Sequence, residues 1–541
     1  MNEGFWAVSK MIRTSYGVQV GQVEAGASRP EMKVRPDVSG AARRAPGTAA
    51  SPSDQEWETP RRGARSGTGR LVVVSNRVPL PGRRGSGGAG GLAVALEAAL
   101  KEHGGVWFGW SGDARPAIDA DAIEQQQIGR INFAVTDLTK RDLDEYYLGF
   151  SNRALWPVCH YRLDLAHFAE RETAAYFRVN GMFARKLVRL LEPGDLVWVH
   201  DYHLIPMASE LRARGFGGRI GFFLHIPWPS PEIASALPEY RRLLADLAAY
   251  DVVGFQTPRD AENFGRCLVE EEIGKDLGGG SFESRGRRLL VGAYPIGIDT
   301  QGFRDAAAKA ENLPAVKRFV STLGQQRLVV GVDRLDYSKG INERIKSFCA
   351  YLDHHPEERG RVTYLQVTPK SRSDVPEYKQ IQQEVAARAG EANGAFGTVD
   401  WTPIRYLNQN IPHATLTGLY RAAQVGLVTP LRDGMNLVAK EFVASQSPED
   451  PGVLVLSRYA GAVFELHGAV VVNPYDAVGT ASGIARAFAM PLEERRERWS
   501  AMMRHLETHT VSDWWRGFID TLARQDGAAT TMSRDLAGAT A

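Results

Sequence analysis

The residues best suited to chemistry lie in the stretch Thr429–Glu441, which reads TPLRDGMNLVAKE. The preceding apolar run Val425–Val428 predicts a short buried strand, and a helix is predicted to begin near Asn436. Asp433 then lies in the connecting loop and Glu441 in the second helical turn, so both carboxylates can face one crevice. Carboxylates accept hydrogen bonds from sugar or ribose hydroxyls and suit them better than phosphate. The alternative is an acidic loop beside a helix terminus.

Two cations follow the predicted strand Leu328–Val332, within the sequence GVDRLDYSKG. We expect Arg334 and Lys339 to bind a diphosphate between two domains, through charge-assisted bonds worth roughly 1.5–3 kcal/mol each. They would also stabilise the charge that grows on a departing phosphate. Arg77 and Arg372 are further cations at strand ends, which indicates a second phosphate-bearing substrate. For each of these cations, a solvated surface charge is the alternative.

One interpretation of the sequence HDYH at positions 200–203 is a metal site. It lacks the i, i+4 histidine pair of a helical zinc motif, and no third ligand cluster accompanies it. We favour a strand-end loop in which Asp201 accepts a hydrogen bond from a substrate hydroxyl. His225 follows another predicted strand and precedes two prolines that stiffen its loop, so it would donate or accept nearby. A purely structural histidine is the alternative.

A glycine-rich loop, Pro81–Gly91, connects the aliphatic run Leu71–Val74 to leucines at helical spacing. Glycines allow backbone N–H groups to approach a phosphate closely at a helix N-terminus. The pattern is not GxGxxG, and no acidic residue about 20 positions later completes a dinucleotide fingerprint. The loop therefore predicts either a phosphate site or an ordinary surface loop.

These motifs need a scaffold in which strands and helices alternate, and the sequence predicts one. We expect two doubly wound α/β halves with a boundary near residues 299–315. Gly274–Arg288 is predicted to be a hairpin or loop insertion, and Trp499–Ala523 to be helical. The remaining predicted strands are Asp195–Val199, Ile220–Leu224, Val252–Phe255, Tyr294–Ile298, Val362–Val367 and Val453–Leu456.

Length and composition limit the class of protein. A chain of 541 residues predicts two large domains, and a net charge of +2 argues against a dedicated nucleic-acid binder. Three widely spaced cysteines predict neither disulfides nor a metal knuckle. No signal-peptide core and no run of 18 apolar residues is visible, so we expect a soluble, cytoplasmic protein without a membrane partner. Residues 1–69 have a composition typical of disorder, and residues 526–541 are predicted to be a loose tail.

A resemblance to a known family rests on a series of motifs in one unbroken order from Arg70 to about Asp520. They are RLVVVSNR, GGLA, WFGWSG, LWP, HDYHLIP, FLHIPWP, GFQT, YPIGID, DRLDYSKG and PLRDGMNLVAKEF. Together they resemble the α,α-trehalose-phosphate synthases, retaining glycosyltransferases of family 20 with two Rossmann-like domains in the GT-B arrangement. The resemblance implies an acceptor domain at 70–305, a nucleotide-sugar domain at 306–498, and a C-terminal helix at 499–525 that crosses back onto the first domain.

The resemblance implies transfer of glucose from a nucleoside diphosphate glucose, with UDP as our first choice, to glucose 6-phosphate. The acceptor phosphate would be bound by Arg77 and Arg372, with Tyr147 beside it. Trp110 and Trp156 would wall the acceptor sugar, and Trp156 with His225 would select its α-anomer. Asp201 would bind an acceptor hydroxyl close to the reacting centre.

On the donor side, Gly90 and Gly91 would lie against the diphosphate, which Arg334 and Lys339 would stabilise as it leaves. Asp433 would bind glucose hydroxyls and Glu441 the ribose diol. The remaining donor contacts implied by the resemblance are backbone groups at Leu437, Val438, Ala439 and Lys440, and backbone near Ile411 for the base. The implied catalytic set is Asp201, His225, Arg334, Lys339 and Asp433.

Enzymes of this family are thought to use no covalent protein nucleophile, and the resemblance implies neither cofactor nor metal. We expect a homo-oligomer, a dimer or a tetramer. The chain differs from the family pattern in its long Arg-rich N-terminal extension and in the inserted residues Gly82–Gly85, which bear on donor affinity.

Two other functions are compatible with the fold. A glucosylglycerol-phosphate synthase would use glycerol 3-phosphate as acceptor, although Tyr147, Trp110 and Trp156 favour a sugar ring. A non-catalytic regulatory subunit could lose the catalytic charges without harm, yet Arg334 and Lys339 are both present, as are the two carboxylates of Thr429–Glu441.

Overall fold

The first strand of the described residues is a run of aliphatic residues that is buried on both faces, as its Leu-Val-Val-Val sequence predicts. The computed structural model describes residues 69–81, 91–119, 121–369 and 376–525. The N-terminal extension, the Gly82–Gly85 insertion, Gly90, Arg372 and the C-terminal tail lie outside these residues, so the predictions made for them stay predictions.

The described residues form two sheets, the first with ten strands in the order β3-β4-β2-β1-β5-β6-β7-β10-β9-β8. The central strands β4, β2, β1, β5, β6, β7 and β10 run parallel to one another. The outer strands β3, β9 and β8 pair antiparallel with their neighbours. Their bounds are β1 Leu71–Arg77, β2 Gly105–Arg115, β3 Glu124–Ile128, β4 Ile131–Thr139, β5 Leu196–His200, β6 Arg219–Phe223, β7 Val252–Phe255, β8 Lys275–Gly278, β9 Ser281–Ser284 and β10 Arg287–Ala293.

The second sheet has six strands, all parallel, in the order β13-β12-β11-β14-β15-β16. Their bounds are β11 Arg327–Val332, β12 Val362–Val367, β13 Ile404–Leu407, β14 Val425–Val428, β15 Val453–Ser457 and β16 Val470–Val472. The two predicted α/β halves are therefore present, and the predicted strands Val252–Phe255, Val362–Val367 and Val425–Val428 coincide with β7, β12 and β14.

Helices cover both sheets, as parallel strands require. On the first sheet the longer ones are Gly91–His103, Glu170–Leu187, Met207–Ala213, Tyr240–Leu247, Pro258–Glu270 and Val511–Ala523. On the second they are Thr300–Ala310, Pro314–Ser321, Ile341–His354, Pro376–Phe396, His413–Ala422, Leu437–Ser445, Ala477–Ala489 and Leu492–Thr508. Shorter pieces are Lys140–Asp142, Trp156–Cys159, Pro231–Ala234, the π-helical segment Leu143–Leu155 and 3₁₀ turns at Leu163–Leu165, Val188–Leu190, Tyr202–Leu204, Tyr337–Lys339, Pro356–Glu358 and Gly461–Phe464.

The predicted strand Tyr294–Ile298 is wrong, because β10 ends at Ala293. The Tyr294 amide extends the ladder by one bond to the Phe255 carbonyl, at 2.8 Å. Ile296 then donates its amide to the side chain of Gln256 and accepts a bond at its carbonyl from Lys440. Side chains thus satisfy backbone groups that a strand would have paired, and the segment becomes an extended connection between the sheets.

The predicted helix over Trp499–Ala523 is two helices, which end and restart around His509 and Thr510. The first helix ends at Thr508 with His509 as its C-cap, and Thr510 starts the second through a capping box with Asp513. The break allows the last helix to return to the first sheet, where the Phe518 ring stacks on Trp198 at 5.0 Å. The expected crossing of the C-terminal helix back to the first half is therefore confirmed.

The two chain crossings between the halves run side by side. A Cβ atom built on Gly297 would lie 2.3 Å from the His509 carbonyl oxygen, so only glycine permits this approach. The Val511 amide donates to the Ile298 carbonyl at 3.2 Å, and the Thr300 hydroxyl donates to the Leu506 carbonyl at 2.8 Å. The predicted insertion Gly274–Arg288 forms the β8–β9 hairpin at the far edge of the first sheet.

Candidate active site

The candidate residues lie at the topological switch points of both sheets, where an open parallel sheet forms its ligand crevice. In the first sheet β1 and β5 are neighbours, and they end at Arg77 and His200. In the second sheet β11 and β14 are neighbours, and the loops after them carry Lys339 and Asp433. Residues that are far apart in sequence therefore reach two facing edges.

The two edges touch each other. A Cβ atom on Gly434 would lie 2.2 Å from the carbonyl oxygen of His225, so the loop after β14 packs directly on the loop after β6. A Cβ atom on Gly91 would lie 2.6 Å from Leu437 Cδ1, which brings together the first residues of two helices. Two helix N-termini, each with unpaired amides, therefore meet at the crevice, an arrangement that favours an anion.

Lys339 and Asp433 form an ion pair inside the crevice. Their side chains are only 11% and 13% exposed, so the pair is screened little by solvent. The Asp433 carboxylate also accepts a bond from the Asn436 amide group at 3.0 Å, and the Asp433 backbone amide donates to the Tyr459 carbonyl at 3.1 Å. Arg334, by contrast, has an exposed side chain just after β11.

A buried ion pair that the sequence analysis missed supports this loop. Arg344 and Asp333 are fully buried, with 2.7 Å between guanidinium and carboxylate. Arg344 also donates to the Thr429 hydroxyl at 3.1 Å and to the Lys339 carbonyl at 3.3 Å. It thereby ties the loop that carries Lys339 to the end of β14. The sequence feature that could have indicated this pair is Arg344 itself, a charged residue on the apolar face of the helix Ile341–His354.

The helix Leu437–Ser445 begins as predicted at Asn436, which has a left-handed backbone with φ 76°. The Asn436 side chain accepts a hydrogen bond from the Ala439 amide at 3.3 Å. The amides of Leu437 and Val438, in the first turn, have no hydrogen-bond acceptor within the helix.

Two side chains of this helix have different environments. Glu441 is half-buried in the second turn, and burial raises its pKa to about 7, while the Tyr420 hydroxyl donates to it at 3.4 Å. Lys440 points inward instead, where its ammonium pairs with Glu465 and donates to the Ile296 carbonyl, both at 2.7 Å. Ile411 is half-buried in front of the neighbouring helix His413–Ala422.

On the facing edge, Arg77 lies beside an aromatic wall. Its exposed guanidinium passes over Gly112, where a Cβ would lie 2.9 Å from Nε. The buried Trp110, paired with Arg77 in the sheet register, has its ring 5.8 Å from that of Tyr147. The Tyr147 ring in turn stacks on His203 at 5.6 Å. The structure therefore brings together a cation and the aromatic rings that the sequence analysis grouped.

Trp156 connects this wall to the second half of the molecule. Its ring lies 5.6 Å from Tyr202 and 4.2 Å from the buried His160, whose Nδ1 bonds to the Trp156 carbonyl at 2.7 Å. Burial lowers the pKa of His160 to about 4, against the opposing influence of the Asp336 and Asp433 carboxylates. Charged side chains of the second half therefore act on the imidazole that packs against the Trp156 indole.

Asp201 and His225 are coupled through the backbone. Asp201 has a strained φ of 76°, unusual for a non-glycine residue and typical of functional sites. Its carboxylate accepts the His225 amide at 3.3 Å. Burial lowers the pKa of His225 to about 3, so its imidazole is neutral near pH 7. His200 and Gln256 approach its two ring nitrogens at 3.1 and 3.3 Å. Gln256 had been assigned no role from the sequence, and His200 had been considered only in the disfavoured metal interpretation.

A cavity of about 210 Å³ opens between the halves beside the Tyr337–Lys339 turn. The first half contributes Arg162 and Leu165, and the second contributes Asp336, Tyr337 and neighbouring side chains. Within the described residues, no group of three His, Cys, Asp or Glu side chains is arranged to hold a metal ion. None of the described helices is both long and apolar enough to cross a membrane.

Comparisons with known proteins agree with the motifs. A family model described as glycosyltransferase family 20 matches residues 69–524. The trehalose-6-phosphate synthase of Sinorhizobium fredii is 55% identical over 454 residues, which cover 84% of this chain and 98% of the relative.

Two solved structures are similar over their whole length. One is an α,α-trehalose-phosphate synthase (UDP-forming) from Burkholderia xenovorans in complex with glucose-6-phosphate, with a TM-score of 0.80, 46% identity and coverage of 84% of this chain and 100% of that chain. The other, from E. coli, is bound with UDP-2-fluoro glucose and has a TM-score of 0.81, 44% identity and coverage of 85% and 100%. The expected GT-B architecture is thereby confirmed. The crevice between two parallel sheets is that of a glycosyltransferase, and the chain belongs to glycosyltransferase family 20.

Proposed function

We propose that the protein is an α,α-trehalose-phosphate synthase that transfers glucose from UDP-glucose to glucose 6-phosphate. The observation that carries this proposal is the Lys339–Asp433 pair. Asp433 shortly precedes the Leu437 helix, whose first residue meets Gly91, and Gly434 next to it packs on the His225 carbonyl. A site with anion-binding groups, a hydroxyl-binding carboxylate and an aromatic wall fits a sugar nucleotide and a second sugar.

In this proposal the donor diphosphate lies at the first residues of the Gly91 and Leu437 helices, where Gly90 and the amides of Leu437 and Val438 approach it. Arg334 and Lys339 neutralise it, and Asp433 accepts bonds from the glucose hydroxyls. Glu441, with its pKa near 7, accepts the ribose hydroxyls, and backbone near Ile411 meets the base. Ala439 and Lys440 act through the backbone, since the Lys440 side chain is buried.

The acceptor phosphate binds Arg77 and Arg372, with Tyr147 at its side. Trp110 and Trp156 cover the apolar faces of the sugar ring, and Trp156 with His225 favours the α-anomer. Asp201 accepts a bond from an acceptor hydroxyl. Support comes from the contact of Trp110 with Tyr147 and from the bond between Asp201 and the His225 amide.

The chemistry follows from this placement. The acceptor C1 hydroxyl oxygen forms a bond to the donor anomeric carbon while the bond from that carbon to the β-phosphate oxygen breaks. Attack occurs on the face from which the phosphate leaves, so the configuration is retained and the phosphate takes the hydroxyl proton. Arg334 and Lys339 stabilise the growing phosphate charge, a contribution of about 10²-fold or more for one well-placed charge.

A nucleotide-release assay tests the proposal. UDP-glucose, ADP-glucose and GDP-glucose are each supplied with and without glucose 6-phosphate, in the presence of EDTA. Release that depends on glucose 6-phosphate and is fastest with UDP-glucose supports it. Release only with glycerol 3-phosphate would establish the glucosylglycerol-phosphate synthase instead, and no release with either acceptor would favour the regulatory subunit.

A homo-oligomeric state and a cytoplasmic location remain predictions from the sequence. Light scattering coupled to size-exclusion chromatography measures the first directly: a mass near 59.4 kDa would refute the oligomer, and twice or four times that mass would support it.

A further inference from the structure

The side chain of Gln256, just after β7, lies between a backbone amide and an imidazole. Its carbonyl oxygen Oε1 accepts the Ile296 amide at 3.0 Å. Its amide nitrogen Nε2 lies 3.3 Å from Nδ1 of His225. Gln256 is 2% exposed, so water does not compete for either contact.

The Ile296 bond determines which way the Gln256 amide points. A backbone N–H is only a donor, so the atom that faces it must be the carbonyl oxygen of Gln256. The –NH₂ group is then directed at His225 and donates to Nδ1. Nδ1 must be an acceptor, and the proton of the neutral imidazole is therefore on Nε2, from which it is donated to His200 Nδ1 at 3.1 Å.

The opposite arrangement is excluded by the same groups. If His225 carried its proton on Nδ1, two donors would face each other across 3.3 Å. A doubly protonated His225 would have the same clash. In the Nε2–H form of His225, His200 Nδ1 is the acceptor, so His200 carries its own proton on Nε2. That atom is buried, and the described residues provide no hydrogen-bond partner for it. One tautomer of His225, the neutral Nε2–H form, satisfies both of its ring contacts, with Gln256 Nε2 and with His200 Nδ1.

The other surroundings of His225 do not favour a positive charge on its ring. Phe223 and Trp514 lie against the imidazole at 4.6 and 5.8 Å between centroids. The Asp201 carboxylate bonds to the His225 backbone amide, and the Gly434 backbone next to Asp433 packs on its carbonyl. The titratable ring facing the imidazole is that of His200, whose pKa burial also lowers. Burial accordingly keeps the pKa of His225 well below its usual range.

Ile296, the residue that orients the Gln256 side chain, is also bonded to the second half of the molecule. Ile296 accepts the Lys440 ammonium at its carbonyl, and Lys440 lies in the helix whose first residues face the crevice. One connecting residue is thus bonded to the first half through Gln256 and to the second half through Lys440. The orientation of the Gln256 amide depends on both halves being in place.

We propose that Gln256 is a positioning residue for the transfer reaction, which holds His225 as the neutral Nε2–H tautomer beside the reacting centre. The inference rests on the proposed function, in which positive charge grows on the transferred glucosyl group. An imidazolium at His225 would repel that charge and slow the transfer. Because the Gln256 amide group donates to Nδ1, that atom stays unprotonated and the imidazole stays neutral.

The variant Gln256→Glu tests this directly. Its carboxylate still accepts the Ile296 amide, but it faces Nδ1 with an acceptor and so draws a proton onto that atom and raises the pKa of His225. With both substrates saturating, we expect kcat to fall by about 10-fold or more, with a further loss from pH 8 to pH 6 that the unaltered protein lacks. Both KM values should change by less than about 3-fold, because the loss is in the transition state.

Gln424→Glu is the matched control. Gln424 also accepts a backbone amide, that of Leu328 at 2.7 Å, but it lies at the opposite end of β14 from the site. The same change of charge there should leave the pH profile of kcat unaltered. Gln256→Met, which removes both bonds without adding charge, should lower kcat without a new pH dependence and serves if the glutamate variant does not fold.

A second measurement is independent of activity. Nitrogen-15 NMR of histidine-labelled protein, with His225→Asn for assignment, should show Nδ1 unprotonated in the unaltered protein and protonated in Gln256→Glu. An unchanged Nδ1 signal in that variant, or an Nδ1–H tautomer in the unaltered protein, would overturn the inference. If the unaltered protein transfers no glucose, the proposed function fails, yet the tautomer is still decided by the spectrum.

Discussion

The Lys339 ammonium and the Asp433 carboxylate, which follow two neighbouring strands of the second sheet, form an ion pair at the crevice. Each residue comes from a loop that other contacts hold in place, Lys339 through Arg344 and Asp433 through Asn436. The pair combines a cation for phosphate with an acceptor for hydroxyls. Its position beside the Gly434–His225 contact makes it the meeting point of the two halves.

Removal of the cation should affect turnover more than binding. Lys339→Ala or Arg334→Ala should lower kcat by about 10²-fold or more, since each removes a charge that stabilises the departing phosphate. Steady-state nucleotide release measures this. Lys346→Ala, at an exposed position of the following helix, is the control and should keep its activity. Near-normal turnover in both site variants would refute the assigned roles.

The contact between Gly434 and His225 should tolerate no side chain. In Gly434→Ala the new Cβ would lie 2.2 Å from a backbone oxygen, so the two loops must separate and kcat/KM should fall by about 10-fold or more. The control Gly390→Ala lies on an exposed helix with open space around the new Cβ, and it should stabilise the protein by about 0.5–1 kcal/mol. Equal activity of the two variants would show that the close contact is not needed for catalysis.

The Arg344–Asp333 pair should carry much of the stability of the second half. Arg344→Met leaves the Asp333 carboxylate buried without its cation, which should cost about 3–5 kcal/mol of unfolding free energy. Urea unfolding monitored by circular dichroism gives this value. The double variant Arg344→Met with Asp333→Leu should recover a large part of it, and a double variant no more stable than the single one would contradict the explanation.

Glu441 should make donor binding depend on pH. Because burial raises its pKa to about 7, the carboxylate becomes protonated as pH falls from 8 to 6 and loses acceptor capacity for the ribose hydroxyls. The KM for UDP-glucose should therefore rise towards acid pH, and Glu441→Gln should have a higher KM with no such dependence. A raised carboxyl pKa also means that this group contributes stability at low pH, which is lost as pH rises through about 7. A pH-independent KM in the unaltered protein would contradict the ribose role.

Sequence periodicity located β1, β5, β6, β7, β11, β12, β14 and β15 and the loops that carry the candidate residues, because buried parallel strands are short aliphatic runs and their ends define the crevice. The strands β2, β3, β4, β10, β13 and β16 were not predicted. The start of the helix at Asn436 and the placement of Asp433 and Glu441 follow from that pattern alone. Contacts made by single buried polar side chains were not predictable, because they depend on which distant residue lies opposite. Arg344 and Gln256 belong to this class, as does the Ile296 segment, whose apolar sequence resembles a strand although side chains satisfy its backbone.

The measurement that tests the central claim most directly is the carbon-13 NMR spectrum of the product made from UDP-[1-¹³C]glucose and unlabelled glucose 6-phosphate. The account predicts one labelled anomeric carbon with α configuration, joined through oxygen to the anomeric carbon of a sugar phosphate, in an amount equal to the UDP released. A β-configured label, a label joined to any other position, or UDP release with free glucose as the only labelled product would contradict it.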